Sequence, residues 1–182
     1  YYASRGLGDV YKRQVIKYAA LRADGLLPML EGPVTEDVLT DIISTCVGIK
    51  RDIVSEDEFE GGVRALLNLG HTVGHAVERV TGYGVTHGRA VGIGMAVIFR
   101  GCVRAGICDA QALPVLDRLL AKFGLTNLCP YDEEALFEAT RSDKKSSGKT
   151  ITLILPEAFG RCRAEKASFE KLRELIQLGL NP

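Results

Sequence analysis

The sequence has no tryptophan, two methionines and three histidines in 182 residues, so any chemistry built on imidazole must come from a very small set of positions. It also lacks net charge, because 23 Lys and Arg balance 23 Asp and Glu. That balance excludes a long-range basic field for holding a nucleic-acid backbone or an anionic membrane, and any anion binding must be local. No apolar run approaches the roughly 20 residues a bilayer-spanning helix needs, and no secretory signal pattern opens the chain. The expectation is a cytoplasmic protein with neither a nucleic-acid nor a membrane partner. The five cysteines, Cys46, Cys102, Cys108, Cys129 and Cys162, contain no CxxC pair. Reduced, mostly buried thiols are expected in place of a disulfide framework or zinc knuckle.

What is present reads as mostly helix. Residues 1–14, YYASRGLGDVYKRQ, show no periodicity that continues into the following text and are expected to be a foreign or scar segment, leaving 15–182 as one domain. From Val15 the run VIKYAALRADGLL is helical but has no capping residue just before it, as if a longer chain had been cut within a helix. Gly25, Pro28, Gly32 and Pro33 mark a turn region, after which Thr35 caps a helix to about Val54. Further helices are expected over 60–81, 87–105, 113–123 and 132–140. Near the C-terminal end KTITLIL alternates with a β-branched bias, PEAFG turns, RCRAE returns, and Ser168 caps a last helix. The fold class is mainly α, a multihelical array with one small β-hairpin.

All three histidines, His71, His75 and His87, lie in GHTVGHAVERVTGYGVTHGRAVGIGM. On one α-helix, Arg64, Asn68, His71 and His75 fall at roughly 0°, 40°, 340° and 20°, a single polar stripe. Leu66, Leu69, Val73, Ala76, Val77 and Val80 take the opposite, core-facing side. An exposed face favours Lys and Glu, whereas this one offers a guanidinium, an amide and two imidazoles, groups suited to a carboxylate, a phosphate or a metal. Gly70 and Gly74 beside the stripe leave room for another backbone, and HGRAVGIGMAVIF, apolar almost all round, should be the buried neighbour. Imidazoles at i and i+4 with a third at the start of the next helix are a plausible zinc set, although a solvated stripe has the same spacing.

The segments LLNLGHTVGHAVE and GYGVTHGRAVGIGM, with VIKYA before them and SDKKSSGKTITLILPEAFG after, resemble the 3-dehydroquinate synthase family over nearly all of residues 15–180. The resemblance covers that family's C-terminal helical domain. The N-terminal domain, which supplies most of the NAD site through a Rossmann-like sheet, has no counterpart in these residues. The resemblance implies that His71 and His87 are ligands of Zn2+ or another divalent metal, with His75 beside them at the substrate. The third ligand position, a glutamate in the family, is Gln14 here, and a neutral amide is a poor zinc ligand. The resemblance makes Lys17, Arg64, Asn68 and His75 catalytic and adds Lys50, Glu60, Lys144 and Lys145, next to Asp143, as substrate contacts. A second departure is Arg89, where an acid is more usual.

The implied activity is conversion of 3-deoxy-arabino-heptulosonate 7-phosphate to 3-dehydroquinate and phosphate in the shikimate pathway. The resemblance further implies that NAD is recycled within each turnover and that the full-length enzyme is a homodimer. Without the NAD domain this chain is expected to be inactive. Alternatives are another sugar phosphate cyclase, such as a deoxy-scyllo-inosose or valiolone synthase, a metal-dependent alcohol dehydrogenase, and a non-catalytic helical interaction domain.

Overall fold

The computed structural model describes residues 8–23, 25–57, 62–143 and 150–180. In chain order the elements are α1 (Asp9–Leu21), α2 (Leu26–Glu31), α3 (Glu36–Glu56), a 3-10 helix (Val63–Asn68), α4 (His71–Val80), α5 (His87–Arg104), α6 (Ala112–Lys122), α7 (Glu133–Asp143), β1 (Thr150–Ala158), β2 (Arg161–Ser168) and α8 (Phe169–Leu180). This is the expected helical array with one hairpin near the C-terminal end. No described helix is long and apolar enough to cross a membrane.

Helix α5 is the axle. Its residues Gly88 and Ala90 to Cys102 are buried, and α1, α4, α6, α8 and β1 pack around it. Glycine sets how closely two of those neighbours approach. A Cβ on Gly94 would lie 2.1 Å from the Gly70 carbonyl oxygen, and one on Gly179 would lie 2.1 Å from the Val97 carbonyl oxygen. Backbones in such contact exclude any larger residue. Arg100 is the charge carried into this core, and it is satisfied there: its guanidinium donates to the carbonyls of Gly179 (2.8 Å) and Asn127 (3.3 Å). A cation against the last carbonyls of α8 is also favoured by the helix dipole.

Local signals behave as their chemistry requires at the two helix caps expected from the sequence. Thr35 Oγ1 accepts from Val38 N at 3.4 Å, and Ser168 Oγ accepts from Lys171 N at 3.2 Å. In the hairpin β1 pairs antiparallel with β2 from Thr150↔Ser168 to Ala158↔Arg161, with an irregularity between Pro156 and Ala158. Its tip is pinned to the end of α1, because Gly160 N donates to the Ala20 carbonyl at 3.1 Å.

Three expectations change. Residues 60–81 do not form one helix: the 3-10 segment ends at Asn68, and Gly70, at φ 77°, starts α4 afresh. The cause is the α5 crossing, since a Cβ at Gly70 would also meet the Met95 backbone nitrogen at 2.8 Å and the chain must turn where it passes that helix. The Gly- and Pro-marked turn region contains the short helix α2, with Leu26 and Leu30 buried. Finally, the first helix begins at Asp9, not near Val15, and runs without a break through Gln14. Gly8 accepts the first backbone bonds, from Tyr11 N and Lys12 N, and Arg13 is 3% exposed.

Candidate functional site

The turn at Gly70 makes His71 the first residue of α4, and one helical turn later His75 follows on the same face. Residues 81–86 then reverse the chain through Gly82 (φ 56°) and Tyr83 (φ 63°), so that His87 opens α5 opposite them. The three imidazoles form a nearly equilateral cluster, with ring centroids 5.7 Å apart for His71–His75, 5.4 Å for His71–His87 and 5.9 Å for His75–His87.

The polar stripe does not face open water alone. Asn68, His71, Thr72 and His75 form one wall of a cleft of about 300 Å³, and Ala139 and Thr140 of α7 with Thr152 and Ile154 of β1 line the other side. Val73, Ala76 and Val77 face the core, as the amphipathic pattern requires. Arg64, the fourth member of the stripe, lies half-buried on the 3-10 helix, where its backbone N–H donates to Asp57 Oδ2 at 3.2 Å.

Behind His71 stand two buried cations from α1. Lys17 donates from Nζ to the Leu67 carbonyl at 2.7 Å, and burial, helped by the neighbouring charges of Arg13 and Lys50, brings its ammonium down to about 7. Lys50 itself is exposed on α3. Arg13, one turn before Lys17, donates from Nη1 to His71 Nε2 at 3.2 Å, while its buried Nε has no partner. Burial, with Lys17 next in effect, drives the His71 imidazole down to about 3, so the ring is neutral. Its Nδ1 lies 3.2 Å from the Leu69 carbonyl, an acceptor only, which fixes the proton on Nδ1 and leaves the Nε2 lone pair to Arg13.

At the opposite corner is a carboxylate. Glu78 Oε1 lies 3.0 Å from His87 Nδ1, with the Glu78 side chain 14% exposed and that of His87 39%. His75, Glu78 and His87 each offer a donor atom, and these atoms lie within 4.8 Å of one another. Two imidazole nitrogens and a carboxylate oxygen are a donor set suited to zinc or a similar divalent ion.

The structure brings His71, His75, His87 and Asn68 together, with Lys17 close behind. Gln14 lies on α1 beside Arg13, and its amide brings no negative charge to the cluster. Glu60, Lys144 and Lys145 lie outside the described residues, as does the side chain of Asp143. Two residues of the cluster were missed. Glu78 was legible as a carboxylate three positions after His75, hence on the same helical face, whereas nothing local marked Arg13.

Comparison with known proteins agrees with this architecture. The family model for the 3-dehydroquinate synthase C-terminal region matches residues 13–146. The chain is 37% identical over 176 residues to the 3-dehydroquinate synthase of Streptococcus gordonii, covering 94% of this chain and 49% of the relative. It is 40% identical over 149 residues to that of Dehalococcoides mccartyi strain BAV1, covering 78% and 42%. It therefore spans about half the length of these curated relatives. Among solved structures, a 2-epi-5-epi-valiolone synthase from Streptomyces hygroscopicus with NAD+ and Zn2+ bound superposes with a TM-score of 0.78 at 19% identity, over 96% of this chain and 51% of that one. A 2-deoxy-scyllo-inosose synthase complexed with carbaglucose-6-phosphate, NAD+ and Co2+ gives 0.75 at 22% identity, over 94% and 52%. Both show the same fold.

Proposed function

The chain belongs to the 3-dehydroquinate synthase C-terminal family, and from that membership we propose that it supplies the metal- and substrate-binding half of an enzyme converting 3-deoxy-arabino-heptulosonate 7-phosphate to 3-dehydroquinate and phosphate. The observation that carries the reading is the convergence of Asn68, His71 and His75 on one cleft, with the buried Lys17 directly behind and the His87–Glu78 pair beside it.

A substrate with a carboxylate and a phosphate needs fixed cationic and amide donors in a protein of zero net charge. Lys17, Arg64 and Asn68 supply them, with Lys50 near Lys17 and with Glu60, Lys144 and Lys145 assigned by the family pattern. Lys17 is suited to more than charge. One of its three ammonium protons is committed to Leu67, and near neutral pH the group populates both protonation states, as a proton carrier at a reacting centre requires. His75 is exposed to the cleft, where the family pattern sets it against the substrate.

Zinc or another divalent ion held by the histidine cluster supplies Lewis acidity, and NAD supplies the reversible hydride acceptor. The metal fits the donors present. The dinucleotide does not fit the described residues, whose only sheet is the antiparallel β1–β2 hairpin with no strand-to-helix crossover to cradle a pyrophosphate. On this reading the chain binds substrate but does not turn it over alone, and the homodimer belongs to the longer family members.

Calorimetry with 3-deoxy-arabino-heptulosonate 7-phosphate tests the proposal. Saturable binding, weakened at least about tenfold by Asn68→Ala or Lys17→Met, is expected for charge-assisted contacts. A folded chain that does not bind the sugar phosphate contradicts the assignment.

A further inference from the structure

We propose that the β1–β2 hairpin forms a second wall of phosphate recognition, in which the Lys166 ammonium and the Thr152 hydroxyl hold the phosphate end of the substrate from the side opposite Asn68 and His75. The inference rests on the reading above that the cleft takes a sugar phosphate, and it adds two residues to which the family resemblance gives no role.

Strand alternation brings both residues to the cleft. Ile151, Leu153 and Leu155 are buried on one face of β1, while Thr152 and Ile154 fall on the other face and border the cleft. Ile154 is buried there and Thr152 is exposed. Lys166 is the cross-strand partner of Thr152. Directly opposed residues of an antiparallel pair share a face, with Cβ atoms about 5 Å apart, so the flexible four-carbon stem of Lys166 starts beside Thr152 on the cleft side of the hairpin. The 3-10 helix that ends at Asn68 packs against both strands, which brings the two walls together.

The hydrogen-bonding state of these groups sets them apart from their neighbours. Arg161, Arg163, Lys171 and Arg173 each pair with at least one glutamate. Lys166, exposed on β2, has no such partner among the described residues. Thr152 likewise keeps its hydroxyl free of any described partner. Thr140, on the same wall, does not: its hydroxyl donates to the Phe137 carbonyl at 2.6 Å, so it can only accept from a ligand. The donors of this wall are therefore Thr152 and Lys166.

The lining selects which end of the substrate enters. Neither aspartate nor glutamate borders the cleft among the described residues, and Asn68, Thr72 and His75 face the hairpin wall across it. Donors on two facing walls suit a tetrahedral phosphate dianion, whose oxygens point in several directions. A planar carboxylate is better satisfied along one edge by a guanidinium fork.

Amide NMR titration of the full chain, which reads millimolar affinities as well as tight ones, tests this with two ligands: 3-deoxy-arabino-heptulosonate 7-phosphate and the same sugar acid without its phosphate. The variants are Lys166→Met, Lys166→Arg and Thr152→Val, with Lys171→Met as the control for loss of a lysine charge, and thermal unfolding confirms that each is folded. The phosphorylated ligand is expected to bind at least about fivefold more weakly to Lys166→Met and about threefold more weakly to Thr152→Val. Lys166→Arg and Lys171→Met should stay within about twofold of the unmodified chain. The acid without phosphate should not distinguish Lys166→Met from the unmodified chain. Unchanged affinity of Lys166→Met for the phosphorylated ligand overturns the proposal, as does an equal loss for both ligands, which would assign the lysine to the sugar acid or to the fold. If the unmodified chain binds neither ligand, the proposal falls together with the reading on which it rests.

Discussion

Lys17 concentrates the electrostatics of the site in one side chain. Its folded-state pKa is near 7 and its unfolded value near 10.5. Between those values the unfolded chain binds a proton that the folded chain does not, so stability rises with pH across the window and is lowest below about pH 7. Denaturant midpoints at pH 7 and pH 9.5 should therefore increase for the unmodified chain. In Lys17→Met the increase should be much smaller. An identical rise in the variant would assign the effect to another group. At this scale the sequence revealed residue types more readily than their partners. His71, His75 and His87 were conspicuous because the chain holds no other histidine. Arg13 was hidden because its role depends on burial against a helix 58 positions later, which no local pattern encodes.

At the scale of elements, backbone contact decides more than propensity. The periodicity across 60–81 was strong enough to read as one helix, yet Gly70 and Gly94 meet at that point and the helix must restart. The periodic pattern recorded which side chains face the core, and that reading survives the break. It could not record a helix crossing. Gly94→Ala forces a Cβ to within 2.1 Å of the Gly70 carbonyl oxygen, and is expected to cost roughly 3 kcal/mol by chemical denaturation. Gly92→Ala, on the same helix, places its Cβ no closer than 3.7 Å to Leu125 and gains helix propensity, so it should be neutral or stabilising by up to about 1 kcal/mol. Equal losses for both would mean that the α4–α5 approach does not set the tolerance. Thr35→Ala, which removes the oxygen that accepts from Val38 N, should cost about 1 kcal/mol. The caps and the hairpin were legible because their signals are local. The short helix α2 was not, since its glycines and prolines mark turns in most settings.

For the molecule as a whole, the division of labour follows from what the described fold contains. A buried axle helix and five elements packed around it hold one cleft, while the single hairpin offers no place for a dinucleotide. Phosphate release from 3-deoxy-arabino-heptulosonate 7-phosphate by this chain with NAD and zinc should stay at background, whereas saturable release would show that these residues suffice for turnover. The central claim is that the histidine cluster is a binding centre and not a solvated stripe. Because the chain has three histidines and no others, imidazole proton NMR reads the cluster without substitution. One equivalent of zinc, added to the folded chain near pH 7.5, should move the ring signals of the cluster in a saturable step. Ring signals left unchanged at all three positions would contradict the claim.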